Sequence, residues 1–377
     1  MRDSKNRIIF LDLMRAFAVL MMVQGHTIHT VLDIDLRTNE NTFYFIWHFM
    51  RGFTAPIFMF TAGVVFTYLL NLNNLPFNEN PRIKKGIKRF FLLLILGYAL
   101  HYPTYKIIDF SGVTQKQMYL FFSSDALHLI GFGILFIIVL RYFAEKINID
   151  GKIIYFIATL TLFIIAPIFK NYNFLAVLPA PIAAYLNYDT GSFFPLIPWA
   201  GYVLSGGILG KYLAQNPGVQ KKSSFSKYLF LIGFVLLMTA VLIVKLENLF
   251  YNNGGYWIAA PSVPFYRLGA IIILNSAVSY FAQKLNKIPN IIFLAGRHTL
   301  LIYVVHLIIL YGCVFFPGIY SSSLSRSLNS WQSIFSAIIM IFLMCGLVLI
   351  IEKIKKDYDI KPIFIKIRKL LSLPGYS

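Results

Sequence analysis

The stretch that decides the fold is Ile8 to Leu32, IIFLDLMRAFAVLMMVQGHTIHTVL. It is apolar and long enough to cross a bilayer as an α-helix. Four ionisable residues lie within it, namely Asp12, Arg15, His26 and His29. Their spacings of three, eleven and three residues return to one side of a helix, so that Arg15 and His26 differ by only about 20° around the axis. Because an ionisable side chain at the bilayer centre costs at least ~2.5 to 3.5 kcal/mol, this stripe is expected to face protein or water in a buried site.

The composition of the whole chain indicates a membrane protein. Of its 377 residues, 58% are hydrophobic and only 13% are charged, and the mean hydropathy is +0.69. Soluble domains carry about 25% charged residues. The net charge of +19 would suggest a nucleic-acid partner in a soluble protein. Here the cations must first be placed relative to the membrane, and we predict a lipid bilayer as partner and no nucleic acid.

Ten hydrophobic segments predict an all-α, polytopic bundle of about ten transmembrane helices in a single domain spanning residues 1–377. They lie near 8–32, 47–70, 87–104, 125–144, 152–169, 193–214, 228–245, 264–283, 291–314 and 333–353. The short stretch 176–185 is predicted to be an interfacial or re-entrant piece or a loop. Cys313 and Cys345 show neither a CxxC motif nor metal-ligand spacing, so neither a disulfide framework nor a metal site is predicted.

Lys and Arg residues outside these segments predict the orientation. They concentrate in the N-terminus, in the loops after every second segment, and in a basic tail at 354–377. Since cytoplasmic loops carry the Lys/Arg excess, both termini are predicted to be cytoplasmic. Arg15 then lies in the inner half of the membrane and His26 roughly 16 Å further out, while six of the seven histidines fall in the outer half.

Several of these residues also have a purely structural interpretation. Trp199 could belong to an interfacial aromatic belt instead of stacking on a sugar. The basic cluster at 82–89 could set topology and contact anionic lipids, or also hold a phosphorylated donor. Asp12 could simply neutralise Arg15. For Arg15 and His26 a functional role is favoured, because a deep cation and a titratable ring on one face are costly unless used.

Five sequence stretches in order resemble integral-membrane acyltransferases of the transmembrane acyl-transferase superfamily. They are Leu11 to His26, Arg51 to Gly63, Asp125 to Gly131, Phe194 to Tyr202 and Gly296 to His306. The combination is similar to bacterial relatives of heparan-α-glucosaminide N-acetyltransferase. The Arg-x10-His spacing of Arg15 and His26 is also similar to the pattern of bacterial polysaccharide O-acyltransferases.

The resemblance implies transfer of an acetyl or other acyl group from cytoplasmic acyl-CoA to a carbohydrate or glycolipid acceptor on the outer side of the cell membrane. The membrane implied is a bacterial inner membrane. It implies acetyl-CoA as co-substrate and no tightly bound cofactor. Arg15 and His26 match the motif whose histidine is essential. In the heparan enzyme the reactive histidine lies further along, before the second helix, which makes His29 and His48 rivals of His26 and leaves N- versus O-acylation open.

The chemistry of the residues agrees with this implication. A neutral imidazole can accept the proton of an attacking amine or hydroxyl, either directly or after a covalent acetyl-histidine step, and an oxyanion needs a donor such as His306 or Tyr303. We predict the following candidates: catalytic His26, His48, Arg15 and His306; donor-binding Arg15, Arg297, Arg82 and Lys85; acceptor-binding Asp125, His128, His29 and Trp199. The alternative interpretation is a secondary transporter or a lipid or glycan exporter, because intramembrane Arg, Asp and His residues also mark transport routes.

Overall fold

A computed structural model of the chain describes residues 8–38, 40–104, 109–250, 260–285 and 287–357. Helices dominate these ranges. They are α1 (Ile9–Val31), α2 (Thr42–Arg51), α3 (Thr54–Asn71), α4 (Pro81–Leu100), α5 (Gln115–Phe122), α6 (Ala126–Lys146), α7 (Gly151–Ile164), α8 (Ala166–Asn171), α9 (Ala180–Ala183), α10 (Leu196–Gln215), α11 (Ser223–Phe250), α12 (Ser262–Lys284), α13 (Asn290–Arg297), α14 (Thr299–Tyr311) and α15 (Ser330–Asp357). Two short strands, β1 (Gly312–Cys313) and β2 (Phe316–Pro317), pair antiparallel.

The helices confirm a polytopic all-α membrane protein. Within the described ranges, seven helical spans are long and apolar enough to cross a membrane, and the bent pair α13–α14 makes an eighth. Helices α4 and α10, of 20 residues each, occupy two further predicted segments. The count of ten spans and the cytoplasmic termini stay predictions, and the basic tail beyond Asp357 lies outside the described residues.

Helices α11 and α15 form the periphery of the bundle. Only 17% of the apolar stretch of α11 and 22% of that of α15 is buried inside the protein. Large side chains such as Leu242 and Phe342 are 61% and 71% exposed. Such apolar surfaces are stable only against lipid, because lipid tails are as apolar as these side chains and water is not.

Helix α1 lies at the centre of the bundle and packs against α3, α13, α14 and α15. Its Met14, Ala18 and Val19 are fully buried. Residues around its whole circumference therefore contact protein, which explains how a helix with four ionisable residues can lie inside a membrane domain.

Glycines let α3 and α10 approach until their backbones touch. A Cβ atom at Gly206 would collide with the carbonyl oxygen of Phe60, and one at Gly210 would collide with that of Val64. On the other helix, a Cβ atom at Gly63 would overlap the carbonyl of Val203. Close contact of this kind is a common way to associate helices in membranes, where burial of apolar surface from water contributes little.

We expect Gly206→Leu to destabilise the protein by about 1 to 3 kcal/mol or more, because the new side chain must push α3 away from α10. The measurement is thermal unfolding in detergent, followed by size-exclusion chromatography. Gly346→Leu on α15 is the matched control, since its Cβ would meet no atom within 4 Å. Equal unfolding temperatures for the two variants would contradict the α3–α10 contact.

The predicted ninth segment is a broken helix, not the single straight span expected from the sequence. Helices α13 and α14 meet at His298 with a bend of 78°. Just before the bend α13 approaches α1 closely, since a Cβ at Gly296 would collide with the carbonyl oxygen of Asp12. The bend places Thr299 beside α1, and it directs α14 along the C-terminal half of that helix.

Candidate active site

Two histidines from distant parts of the chain form a pair in the half of the bundle predicted to be outer. The Nδ1 atom of His26 on α1 lies 3.0 Å from the Nε2 atom of His306 on α14, and the two rings stack with centroids 5.3 Å apart. His306 is fully buried, whereas His26 is half-buried. Of the two rings, His26 is therefore the one that a substrate can reach.

Hydrogen bonding fixes the proton positions of this pair. The Nδ1 atom of His306 lies 2.7 Å from the carbonyl oxygen of Ile302, which can only accept, so His306 carries its proton on Nδ1. In two neutral rings, Nε2 of His306 then accepts from Nδ1–H of His26. The remaining nitrogen, Nε2 of His26, has a free lone pair, and no described residue donates a hydrogen bond to it. This is the form that a general base or a nucleophile requires.

A cation lies beside the histidine pair. The side chain of Arg51 rests on α1 next to His26, where a Cβ at Gly25 would lie 3.2 Å from its Cγ atom. The Arg51 guanidinium also stacks on the ring of Trp47 at 5.4 Å, and Trp47 donates a 3.0 Å hydrogen bond to Gln24. This arrangement holds a positive charge within electrostatic range of the His26 imidazole.

At the other end of the stripe, Arg15 borders an internal cavity. Its Nη2 atom donates to the Thr299 hydroxyl at 3.2 Å, and its Nη1 atom lies 4.0 Å from a carboxylate oxygen of Asp12. The cavity has a volume of about 180 Å³ and lies between α1, α3, α4, α6 and α14. Arg15 and Arg89 are the cations in its wall, and the other lining residues are almost all apolar.

Asp125 and His128 form a second buried pair at the start of α6. The Nδ1 atom of His128 lies 2.8 Å from Oδ1 of Asp125, and its backbone N–H donates to the same carboxylate at 2.9 Å. The imidazole packs against α4 where Gly97 leaves room for it, since a Cβ at Gly97 would overlap the ring. Oδ2 of Asp125 and Nε2 of His128 are buried without a hydrogen-bond partner in the described structure. The pair caps α6, and the His128 ring lies against Tyr98 with centroids 4.5 Å apart.

Residues 7–244, more than half of the chain, match the catalytic-domain family of heparan-alpha-glucosaminide N-acetyltransferase. The chain belongs to this family. Comparison with curated proteins and with solved structures finds no match. Membership confirms the predicted family and makes the protein a multi-pass membrane acetyltransferase. It favours the acyltransferase interpretation over the transporter interpretation.

The part matched to the heparan-alpha-glucosaminide N-acetyltransferase family runs from α1 into α11. It contains His26, Arg15 and Arg89, but it ends before α14. His306 and Thr299, which complete the two ends of the stripe, therefore come from the C-terminal helices outside the match. No group of three or more His, Cys, Asp or Glu residues in the described part of the chain could hold a metal ion.

Three other candidate residues lie outside the hydrogen-bonded His26–His306 pair. His29 is half-buried one turn beyond His26, and its carbonyl accepts a 2.9 Å hydrogen bond from Arg37. His48 is exposed on α2 and stacks on Tyr44 at 5.6 Å. Trp199 lies under the guanidinium of Arg267 at 5.2 Å.

Three predicted donor-binding residues do not line the cavity. Lys85 and Arg297 are exposed, and Arg82 lies in the first turn of α4, where its backbone N–H is capped by Asn80. The cavity wall contains Arg89 instead, which lies two helical turns beyond Arg82 on α4. Nothing in the sequence singled it out from the basic cluster, because the choice depends on how far along α4 the cavity begins.

Sequence reasoning also left Arg51 and Thr299 without a role. Arg51 opens one of the sequence stretches that carry the family resemblance, and Gly25 directly precedes His26. The glycine next to His26 was the one signal in the sequence that another side chain approaches this part of α1 closely. The identity of that neighbour depends on how α2 crosses α1.

Proposed function

We propose that this family member transfers an acetyl group from acetyl-CoA to an amino or hydroxyl group of a carbohydrate or glycolipid. The donor would enter from the predicted cytoplasmic side of a bacterial inner membrane, and the acceptor would bind on the opposite side. The observation that carries the proposal is the His26–His306 pair, whose hydrogen bonds leave Nε2 of His26 unprotonated and accessible. His26 lies eleven residues, or about 16 Å, along α1 from Arg15.

The cavity supports the path of the donor. Arg15 and Arg89 in its wall are suited to phosphate or amide oxygens, because a guanidinium offers several donors in a planar fork. The rest of the wall is apolar, and it extends to Phe58 and Leu127. Phe58 stacks on Tyr303 at 6.0 Å, and Tyr303 contacts His306 at 5.7 Å between ring centroids. A thin acyl-bearing arm in this cavity would therefore point towards the histidine pair.

The proposed reaction uses direct attack. The acceptor nitrogen or oxygen forms a bond to the carbonyl carbon of the thioester while Nε2 of His26 removes its proton. The carbon–sulfur bond then breaks, and the coenzyme A thiolate leaves with the proton that His26 returns. Arg51 is the nearby cation that could stabilise the negative charge on the carbonyl oxygen in between.

The test is vectorial transfer in proteoliposomes. We expect label from [acetyl-¹⁴C]acetyl-CoA to appear on glucosamine supplied on the opposite side of the bilayer, and not in empty liposomes. N-acetylglucosamine, which has hydroxyl groups but no free amine, separates N- from O-transfer. Transport of intact sugar without acetylation, or no labelled sugar with a series of amino sugars and polysaccharides, would contradict the proposal.

A further inference from the structure

A second, larger cavity lies on the lipid-facing side of the bundle, between α7, α10, α11 and α12. Its volume is about 540 Å³, and its wall is almost entirely apolar. Several of its side chains are open to the surroundings, including Phe156 at 53% and Ile232 at 50% exposure. We call it the lateral groove. It is distinct from the cavity beside Arg15, and the acetyl transfer proposed above does not use it.

The length of the lateral groove matches one leaflet of a bilayer. Along α7 its wall runs from Lys152 to Phe163, and along α11 from Phe225 to Leu236. Each stretch covers twelve residues, whose end-to-end rise is about 16 Å at 1.5 Å per residue. Half of a bilayer hydrocarbon core is about 15 Å. The groove is thus long enough to take the part of an acyl chain that lies within one leaflet.

The end of the groove at Lys152 is cationic. Asp150 is shared between two lysines, with its Oδ1 atom 3.0 Å from Nζ of Lys211 and its Oδ2 atom 3.8 Å from Nζ of Lys152. Burial raises the pKa of the Asp150 carboxyl, but the backbone N–H of Lys152 and the ammonium of Lys211 more than offset this and lower it to about 2. One carboxylate therefore faces two ammonium groups. The exposed Lys227 precedes Tyr228, which also lines the groove, and adds a further positive charge.

The length and charge of the lateral groove favour a lipid as its occupant. A lipid acyl chain is narrow enough to fit. The positive charge at one end and the apolar wall beyond it complement an anionic headgroup with a hydrocarbon chain.

We propose that the lateral groove is a binding site for an anionic glycerophospholipid of the leaflet on the Lys152 side. The phosphate lies against Lys152, and one acyl chain lies between α7 and α11. The site has a structural connection to the donor cavity. Phe60 of α3 lines the groove, whereas Phe58 and Thr61 of the same helix line the cavity beside Arg15. A lipid in the groove would therefore support the outer side of the wall that α3 forms.

The experiment is native mass spectrometry of the full-length protein after delipidation in detergent, with phosphatidylglycerol or uncharged diacylglycerol added back. We expect one tightly retained phosphatidylglycerol per protein and weaker retention of diacylglycerol. Lys152→Gln should weaken phosphatidylglycerol binding about fivefold, the effect of one cation near a lipid headgroup. Lys146→Gln is the matched control, because Lys146 is exposed near the same face but does not line the groove.

A second variant tests the groove itself. Ile208→Trp places a larger side chain in the wall and should reduce the retention of both lipids, whereas the control Lys146→Gln should leave lipid retention unchanged. Equal retention of charged and uncharged lipid would overturn the assignment of the headgroup. Undiminished binding by Ile208→Trp, or binding of a second copy of the protein instead of lipid, would overturn the site. These readouts measure binding and are independent of whether acetyl transfer is detected.

Discussion

Replacing His26 with alanine is expected to lower acetyl transfer by about 100-fold or more, because a positioned general base contributes 10²- to 10⁴-fold to a rate. The measurement is the rate of label transfer in proteoliposomes at saturating acetyl-CoA. His101→Ala is the matched control, since His101 also lies in the predicted outer half and its Nδ1 atom hydrogen-bonds to the carbonyl of Gly97 on its own helix. Near-normal transfer by His26→Ala, with loss in His29→Ala or His48→Ala, would overturn the assignment.

His306 is proposed to act by positioning His26, and its substitution separates this role from a role in folding. His306→Ala removes the acceptor for Nδ1–H of His26 and should cost about five- to tenfold in rate, the effect of one hydrogen bond of about 1 kcal/mol. His306→Gln offers an amide oxygen in a similar place and should recover part of the rate. A merely structural role predicts that both variants lose activity in proportion to their loss of thermal stability.

Arg15→Gln is expected to raise the KM for acetyl-CoA by about 10- to 100-fold, because a hydrogen bond to a charged group contributes roughly 1.5 to 3 kcal/mol. Arg89→Gln should act in the same direction, since the two guanidinium groups line one cavity. The measurement is the dependence of the transfer rate on acetyl-CoA concentration, with the acceptor held constant. The KM for the acceptor should change little, because the acceptor is proposed to bind about 16 Å away along α1.

Lys84→Gln is the matched control for these donor-site variants. Lys84 lies on the same helix as Arg89 and is exposed, but it does not line the cavity. An equal rise in KM for Lys84→Gln and Arg89→Gln would show that general surface charge attracts the donor. In that case the cavity would not be the donor site.

The stripe on α1 shows which features could be predicted from the sequence alone. The spacing of Asp12, Arg15 and His26 predicted a polar edge that faces protein or water, and α1 packs against α3, α13, α14 and α15. Helical spacing is a local property, so it can be read without knowledge of the fold. The partners of these residues could not be derived in this way. Thr299 and His306 lie more than 270 residues away, and the bend at His298 is what places both of them on α1.

The basic cluster on α4 is a case in which the sequence did not predict the right residue. Its composition predicted cations near a phosphorylated donor, yet the sequence favoured Arg82 and Lys85, whereas the cavity wall contains Arg89. All three lie on one face of the helix, so their position along its axis selects among them. The cavity begins at the level of Arg89 and Leu93, and that level is set by how α4 packs against α3 and α6.

The sequence by itself determined that this chain is a membrane helix bundle, that its first helix bears an ionisable stripe, and which family it resembles. Hydropathy, helical periodicity and local motifs carry this information, because each depends on residues close together in the chain. Only the tertiary structure decided that His26 pairs with His306 and that Arg15 and Arg89 share a cavity. Those pairings depend on crossing angles, glycine contacts and the α13–α14 bend, which bring distant residues within hydrogen-bonding range.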